Sequence, residues 1–397
     1  MSQAAPARRH DLDWLRILAF ALLVFYHVGM FYVPWGWHVK SVHAGPGAEP
    51  LMSLLNPWRL SLLFFISGVA FAYLHDKLGA RGFAGDRALR LLPVIVFGMI
   101  VVVMPQTYFQ LREMREIEPG ILAFWPRYLT EWRIAGIEVP TWNHLWYVVY
   151  LFVYALILAP VMGLLKGFGR GPGARLGALF SARIGPLALI VLPVLPFLAY
   201  RVFLVPHFET THNLVEDWAN HAISLTFLVY GVFAARSEAF WSGVDRTLPY
   251  AFALTLALGA ALTPIWLNWE AITQPAALWA ARFARVVYAW TMILTLLGLA
   301  RRFLTGDGPV RRYLTEAIFP VYILHQTIIV AAGYTLTRLG LDVWTEFALL
   351  IVITVAGSFA GFEIARRIPV LRPLMGLKAG RKTRLQSGQP PSSCSAV

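Results

Sequence analysis

Ten stretches of this chain are apolar over the length needed to cross a bilayer, at about 14–36, 53–74, 88–108, 144–164, 184–204, 218–235, 247–267, 279–300, 313–335 and 343–366. Within hydrocarbon every backbone N–H and C=O must be satisfied inside the protein, so apolar segments of about 20 residues are read as helices. The chain is therefore expected to be an all-α integral membrane protein with about ten transmembrane helices. Composition agrees: 58% of residues are hydrophobic and only 14% charged, against roughly a quarter charged in a soluble domain. The sixth run is the weakest, being short and flanked by Trp218 and His221.

Charge then orients the helices. The net charge of +13 would suit nucleic acid, but the basic residues recur in short loops between apolar runs and form no single patch, so no nucleic acid is expected. Of the 34 Lys and Arg, 24 fall on the termini and the even-numbered loops. The positive-inside rule then places both termini in the cytoplasm, with the chain crossing the membrane many times. No cleavable signal peptide is expected, because the first apolar run is too long for one and lacks a small-residue cleavage site. The glycine-rich stretch 166–183 reads as a flexible cytoplasmic loop. The domain boundaries read as 1–372 for the membrane domain and 373–397 for a basic, disordered tail. Cys394, in that tail, is the one cysteine, so neither an intrachain disulfide nor a Cys-based metal site is expected.

Ionisable side chains at membrane depth are expensive and tend to face a bundle interior or a wet cavity. The first run carries two, Arg16 and His27. Eleven residues is about three helical turns, so both lie on one face, roughly 16 Å apart along the axis. An imidazole at that depth can act as a general base, and a cation nearer the cytoplasm can hold an anionic ligand. The bland alternative is a snorkelling arginine and a histidine bonded to a neighbouring helix. Arg87 and Arg90 share a face at the entry of the third run and could clamp phosphate, or merely obey the positive-inside rule. His144, Trp146 and Tyr147 begin the fourth run, where an aromatic belt is as good a reading as a binding site. His325, preceded by Pro320 and Tyr322, is a second mid-membrane histidine on another helix. Asp13 and Glu363 read as structural ion-pairing residues, Glu363 with a base such as Arg16 or Arg87. Arg59 lies about one helical turn from His27 in depth, so its planar guanidinium could receive a carboxylate bidentately. No metal site is read.

These residues fall into motifs. LDWLR followed by His27, FFISG at Phe64–Gly68, Arg87-x-x-Arg90-x-x-Pro93, HLWYVVYL from His144 and VYILHQ around His325 resemble, in order, the signatures of membrane acyltransferase family 3. The resemblance implies a cytoplasmic acyl-CoA donor and an acceptor hydroxyl across the membrane. It implies catalytic roles for His27 and His325, donor binding by Arg16, Arg87 and Arg90, and acyl-carboxylate or acceptor binding by His144, Trp146 and Tyr322; Arg59, outside these motifs, joins that set on its depth alone. Finer segments, WHVKS at Trp37, WRLSLLFFISG at Trp58 and FEIARRIPVLRPL at Phe362, resemble a subgroup that succinylates osmoregulated periplasmic glucans. That implies succinyl-CoA as co-substrate with no permanently bound cofactor. It implies acyl-CoA, a periplasmic glucan and membrane lipid as partners, with a homodimer or a glucan-synthesis complex left open.

Two other classes compete. A secondary transporter or saccharide exporter would also have ten spans, but transporters couple through buried acids or broken helices. Here the spans hold few acids beyond Glu316 and Glu363, near their cytoplasmic ends. A non-catalytic scaffold would leave His27 and His325 without purpose.

Overall fold

The computed structural model describes residues 9–378. In chain order the helices are α1 (His10–Tyr32), α2 (Glu49–Leu55), α3 (Arg59–Phe97), α4 (Met104–Glu113), α5 (Ile121–Thr130), α6 (Trp146–Arg170), α7 (Pro172–Ser181), α8 (Gly185–Val191), α9 (Leu195–Phe203), α10 (Trp218–Ala234), α11 (Glu238–Leu267), α12 (Pro275–Phe303), α13 (Pro309–Leu336), α14 (Val343–Arg367) and the short α15 (Leu371–Leu374). The sheet among the described residues is one hairpin, β1 (Arg133–Ile134) with β2 (Ile137–Glu138). Its turn, Ala135–Gly136, has positive φ at both residues, as a tight hairpin requires.

Eight helical stretches of the described chain are long and apolar enough to cross a membrane. One of them, Pro46–Glu113, is 68 residues long and doubles back. Gly79 sits inside α3 at φ 69°, ψ 176°, outside helical geometry. In a straight helix Phe71 and Phe83 would stand about 18 Å apart; their ring centroids are 5.1 Å apart. The expected loop between the second and third runs is thus replaced by a reversal at one glycine, where a left-handed φ costs least. This stretch supplies two crossings, and the 17-residue α10 answers to the weak sixth run. Ten segments then correspond to the ten expected runs.

Two expectations need correction. The stretch 166–183 is not a loop: α6 continues to Arg170 and α7 follows, packed on α8 and α11. Its glycines are interspersed with Leu and Phe, and Phe180 lies against Gly243 of α11, so packing overrides glycine's helix-weakening entropy. The fifth run is not one continuous helix either. Pro193 and Pro196 divide it into α8, a 3-10 turn at Leu192–Val194, and α9. The end of the chain also packs closer than its composition suggests: Met375 and Leu377 are buried. The rest of the expected tail, 379–397, lies outside the described residues.

The short α10 is held by close approach. A Cβ on Gly68 of α3 would stand 1.9 Å from the Leu228 carbonyl oxygen, and one on Gly231 of α10 would stand 2.0 Å from that of Phe65. Only two glycines permit this backbone contact, the usual way helices associate where lipid removes the hydrophobic drive. The glycine of FFISG therefore has a packing role. Between α3 and α4 lies a widened π turn, Gly98–Val102, closed by Val103 N–H donating to Gly98 at 2.8 Å. Three of its carbonyls take side-chain donors: Met99 from Tyr128 at 2.9 Å, Ile100 from Trp125 at 3.0 Å and Val102 from Thr327 at 2.5 Å.

Candidate active site

Two cavities open at opposite ends of α1, one around its histidine and one around its arginine. The histidine cavity, of about 940 Å³, is lined by His27, Arg59, His144, Trp146 and Tyr322 among others. His27 and His325 stack with ring centroids 4.9 Å apart, and His27 Nδ1 lies 2.7 Å from His325 Nε2. The hydrogen-bond pattern fixes both tautomers. His325 Nδ1 lies 2.5 Å from the Tyr322 carbonyl, which can only accept, so Nδ1 carries the proton. In neutral His325, Nε2 is then a lone pair, and His27 Nδ1–H must donate to it. That leaves His27 Nε2 as a lone pair with no partner among the described residues, on a side chain that lines the cavity. His325 itself is fully buried and lines neither cavity.

His144 is committed on both nitrogens. Nε2 donates to the Ile323 carbonyl at 3.0 Å and Nδ1 accepts from the Gln106 amide at 3.3 Å. The α13 backbone turn carrying Tyr322 and Ile323 is therefore bonded from outside, and α13 runs unbroken through Pro320. Gln106, fully buried, is the hub behind this wall. Its amide also donates to Thr327 at 2.7 Å, and its carbonyl accepts from Asn143 and Gln326 at 3.1 Å each. Gln326 donates in turn to His38 Nε2 at 3.0 Å, while His38 Nδ1 bonds Gln110 at 2.6 Å. Burial lowers His38 below the usual imidazole range, opposed by the Gln110 bond. Nothing in the sequence marked Gln106, which is uncharged and sits within an apolar run, and Gln326 entered only as the last residue of VYILHQ.

Arg59 begins α3 and is 8% exposed. Its Nη1 donates to Asn56, at 2.8 Å to Oδ1 and 3.1 Å to the carbonyl, and its guanidinium lies 3.5 Å above the ring of Tyr26, the neighbour of His27. Its Nε is buried without a partner among the described residues. Trp146 stacks on His212 at 4.2 Å. The loop carrying His212 is pinned by buried Asp217, whose carboxylate accepts from Tyr150, Asn220 and the amides of Thr211 and His212 at 2.6–3.2 Å.

The basic cavity, of about 550 Å³, brings together Arg16, Arg87 and Arg90 with Arg312, Arg372 and Lys378; Glu316 is the one carboxylate residue on its wall. Arg87 and Arg90 share Asp86, so two cations meet one acid. Arg312, Arg372 and Lys378 are additions the sequence did not single out, since basic residues at that end also satisfy the positive-inside pattern. Gly376, at φ 71°, turns the chain so that Leu377 and Lys378 close this wall. Asp13 sits beside it, 2.5 Å from buried Arg311 and 4.0 Å from Arg16. Glu363 does not pair with Arg16 or Arg87 as expected. It bonds Arg366 at 3.2 Å and Arg367 at 2.5 Å on its own helix, and Tyr313 at 2.9 Å. Partners three and four residues along a helix meet without ordering a second element.

Three rings stand between the cavities. Phe20 packs 6.1 Å from Tyr147 and 5.1 Å from Tyr322, which are 6.3 Å from each other. Phe20 and Tyr147 face the basic cavity and Tyr322 the histidine cavity. Tyr147 is tied to Ser67 at 2.8 Å, and Tyr322 donates to the His144 carbonyl. Two cavities at opposite ends, joined through one aromatic partition, suit a group transfer across the membrane. The family model describing an acyltransferase domain, acyltransferase family 3, matches residues 9–363. The chain belongs to this membrane acyltransferase family. No curated protein and no solved structure matches it. The matched region contains every residue of the histidine cavity and of the partition. It stops short of Arg372, Gly376 and Lys378, which complete the basic cavity of this acyltransferase.

Proposed function

We propose that this acyltransferase moves a succinyl group from cytoplasmic acyl-CoA to a hydroxyl of a periplasmic glucan, as glucan biosynthesis protein C does, with His27 as general base. The observation that carries the reading is the Nε2 lone pair of His27, unpartnered among the described residues, facing a large cavity and held in one tautomer by His325. On this reading, which the charge asymmetry of the loops supports, the basic cavity opens to the cytoplasm and its six cations hold the phosphates of the donor. The pantetheine arm passes the ring partition and presents the thioester to the histidine cavity. There the acceptor oxygen attacks the thioester carbonyl as His27 Nε2 takes the hydroxyl proton. The C–O bond forms, the C–S bond breaks, and the proton passes to the departing thiolate.

His325 acts through His27 as a positioning residue, since it lines neither cavity. Arg59, with a buried Nε and only neutral acceptors on its guanidinium, receives the free carboxylate of the succinyl group. Coupled transport has less support. The buried carboxylates Asp11, Asp217 and Glu346 are already bonded, to Arg9, to four donors and to Ser41. The test is transfer of radiolabel from succinyl-CoA to a β-glucan by purified protein in detergent. Wild type is expected to label the glucan and His27→Ala to lose all but a trace of turnover while still binding CoA. Full turnover in His27→Ala refutes the role of His27, and solute flux without label from any donor refutes the enzyme reading.

A further inference from the structure

Three arginines line the histidine cavity, on three different helices. Arg59 opens α3, Arg201 ends α9 and Arg285 lies in α12. Helix α9 packs on α12, and α12 on α1, which carries His27. Arg285 is within electrostatic reach of both Arg201 and Arg59. None of the three forms an ion pair among the described residues. The cavity wall offers one carboxylate, Glu209, which is exposed and likewise unpaired. Asp217 cannot serve, because its oxygens are already taken by Tyr150, Asn220 and two backbone amides.

Like charges gathered in a partly desolvated wall repel one another and lose hydration, which is unfavourable when no counter-charge is present. Such a cluster is kept where a ligand supplies the missing charge. On the transfer reading above, on which this inference rests, the acyl carboxylate neutralises Arg59. Arg201 and Arg285 then remain, facing the space the acceptor must occupy. That space is walled by Trp37, Trp142 and Trp146 and by the amides of Asn143 and Asn220. Flat apolar rings beside neutral polar groups suit sugar rings better than acyl chains.

We infer that Arg201 and Arg285 form an anion subsite for the acceptor, and that the acceptor is a saccharide carrying a phosphate or carboxylate group. The subsite would orient the acceptor so that a hydroxyl near its charged group reaches His27 Nε2. It would also make acceptor use sensitive to salt, as expected for a half-exposed charged contact.

The test is binding without donor, read by tryptophan fluorescence of the full chain in neutral-lipid nanodiscs. The probes are a β-gluco-oligosaccharide and the same oligosaccharide bearing one phosphate monoester. The charged probe should bind wild type at least about tenfold more tightly at low salt, a difference of about 1.4 kcal/mol. The double variant Arg201→Gln/Arg285→Gln should lose that preference and bind the neutral probe within about twofold of wild type. Each single variant should lose part of it, which guards against a double variant that fails to fold. Arg302→Gln, at the far end of α12 and on neither cavity wall, serves as control and should keep the preference. Equal affinity for both probes in wild type, no binding of either, or a preference that survives the double variant overturns the inference. So does loss of charged-probe binding in a second nanodisc preparation that contains phosphatidylglycerol, which would assign the arginines to a lipid headgroup. If the charged probe binds through Arg201 and Arg285 but no label ever moves from acyl-CoA, the transfer reading fails and the subsite stands. If label moves equally well to both probes with no binding preference, the reverse holds.

Discussion

His325→Leu tests whether one histidine works by holding another. In the structure His27 Nδ1–H has one acceptor, His325 Nε2 at 2.7 Å, and His325 is itself held by the Tyr322 carbonyl. Leucine removes the acceptor with little change in apolar bulk. A donor left unsatisfied in a buried site costs about 1–3 kcal/mol. At about 1.4 kcal/mol per tenfold in rate, this is roughly 5- to 150-fold in kcat. Part of the loss has a chemical cause: without His325 the imidazole can adopt the other tautomer, which points N–H and not a lone pair at the cavity. Donor affinity should not move, because His325 lines neither cavity. His325→Gln, whose amide oxygen can accept the same proton, should recover part of the rate. The assay is single-turnover transfer from labelled acyl-CoA, with CoA binding measured separately. A double variant completes the cycle: with His27→Ala already present, His325→Leu should cost nothing further, because it acts only through the ring that is gone. A kcat within twofold of wild type in His325→Leu would refute the positioning role. A further large loss on the His27→Ala background would show that His325 acts on its own.

Three other outcomes follow from the geometry. Arg59→Leu should cripple succinyl-CoA use and spare or raise acetyl-CoA use, since an acetyl group has no carboxylate to place on the guanidinium; a parallel loss with both donors would make Arg59 structural. Arg87→Gln/Arg90→Gln removes both cations that share Asp86 and should weaken CoA binding by about tenfold or more at low salt. The deficit should narrow at high salt, where screening shortens the reach of charge, and unchanged CoA affinity in calorimetry would exclude these residues from donor binding. Gly231→Ala would put a methyl group 2.0 Å from the Phe65 carbonyl oxygen, whereas Gly163→Ala meets no atom within 4 Å. Parting α3 and α10 enough to admit it should cost about 1–3 kcal/mol or more, seen as a thermal shift of several degrees in detergent for Gly231→Ala alone; equal melting of the two variants would mean the crossing is looser than drawn.

Which parts of this arrangement could be read in the sequence depended on cost. Arg16 and His27 stood out because charge and imidazole are expensive at membrane depth, and helical phase alone put them on one face. The structure places them on the walls of different cavities at opposite ends of α1. Gln106 and Gln326 carry comparable structural weight but no charge, so nothing beyond the last residue of VYILHQ announced either. His144 was ambiguous because an interfacial aromatic cluster looks the same whether a histidine faces headgroups or the bundle, and only the partners Ile323 and Gln106 resolve it. Arg201 and Arg285 were hidden by counting them as loop charges. The proline-broken fifth run made its end hard to place, so Arg201 did not register as a residue of a cavity wall.

Arg59 and Arg87 are separated by a helix that turns back on itself at Gly79. From Arg59 to Gly79 is 20 helical residues, about 30 Å, the thickness of a bilayer's hydrocarbon core. A reversal at Gly79 returns the chain only eight residues before Arg87, about 12 Å at the same rise. Two cations on one continuous stretch of helix are thereby sent to opposite ends of the bundle, one beside Tyr26 and the other beside Phe71. In a straight helix the two would stand about 42 Å apart; with the reversal their offset along the bundle is about 18 Å, so the separation depends on one backbone angle as well as on the residue count. Had α3 run straight through Gly79, Arg87 and Arg90 would lie well outside the bilayer and could not share a cavity with Arg16. The donor end of the proposed reaction therefore rests on the reversal at Gly79 as much as on the arginines themselves.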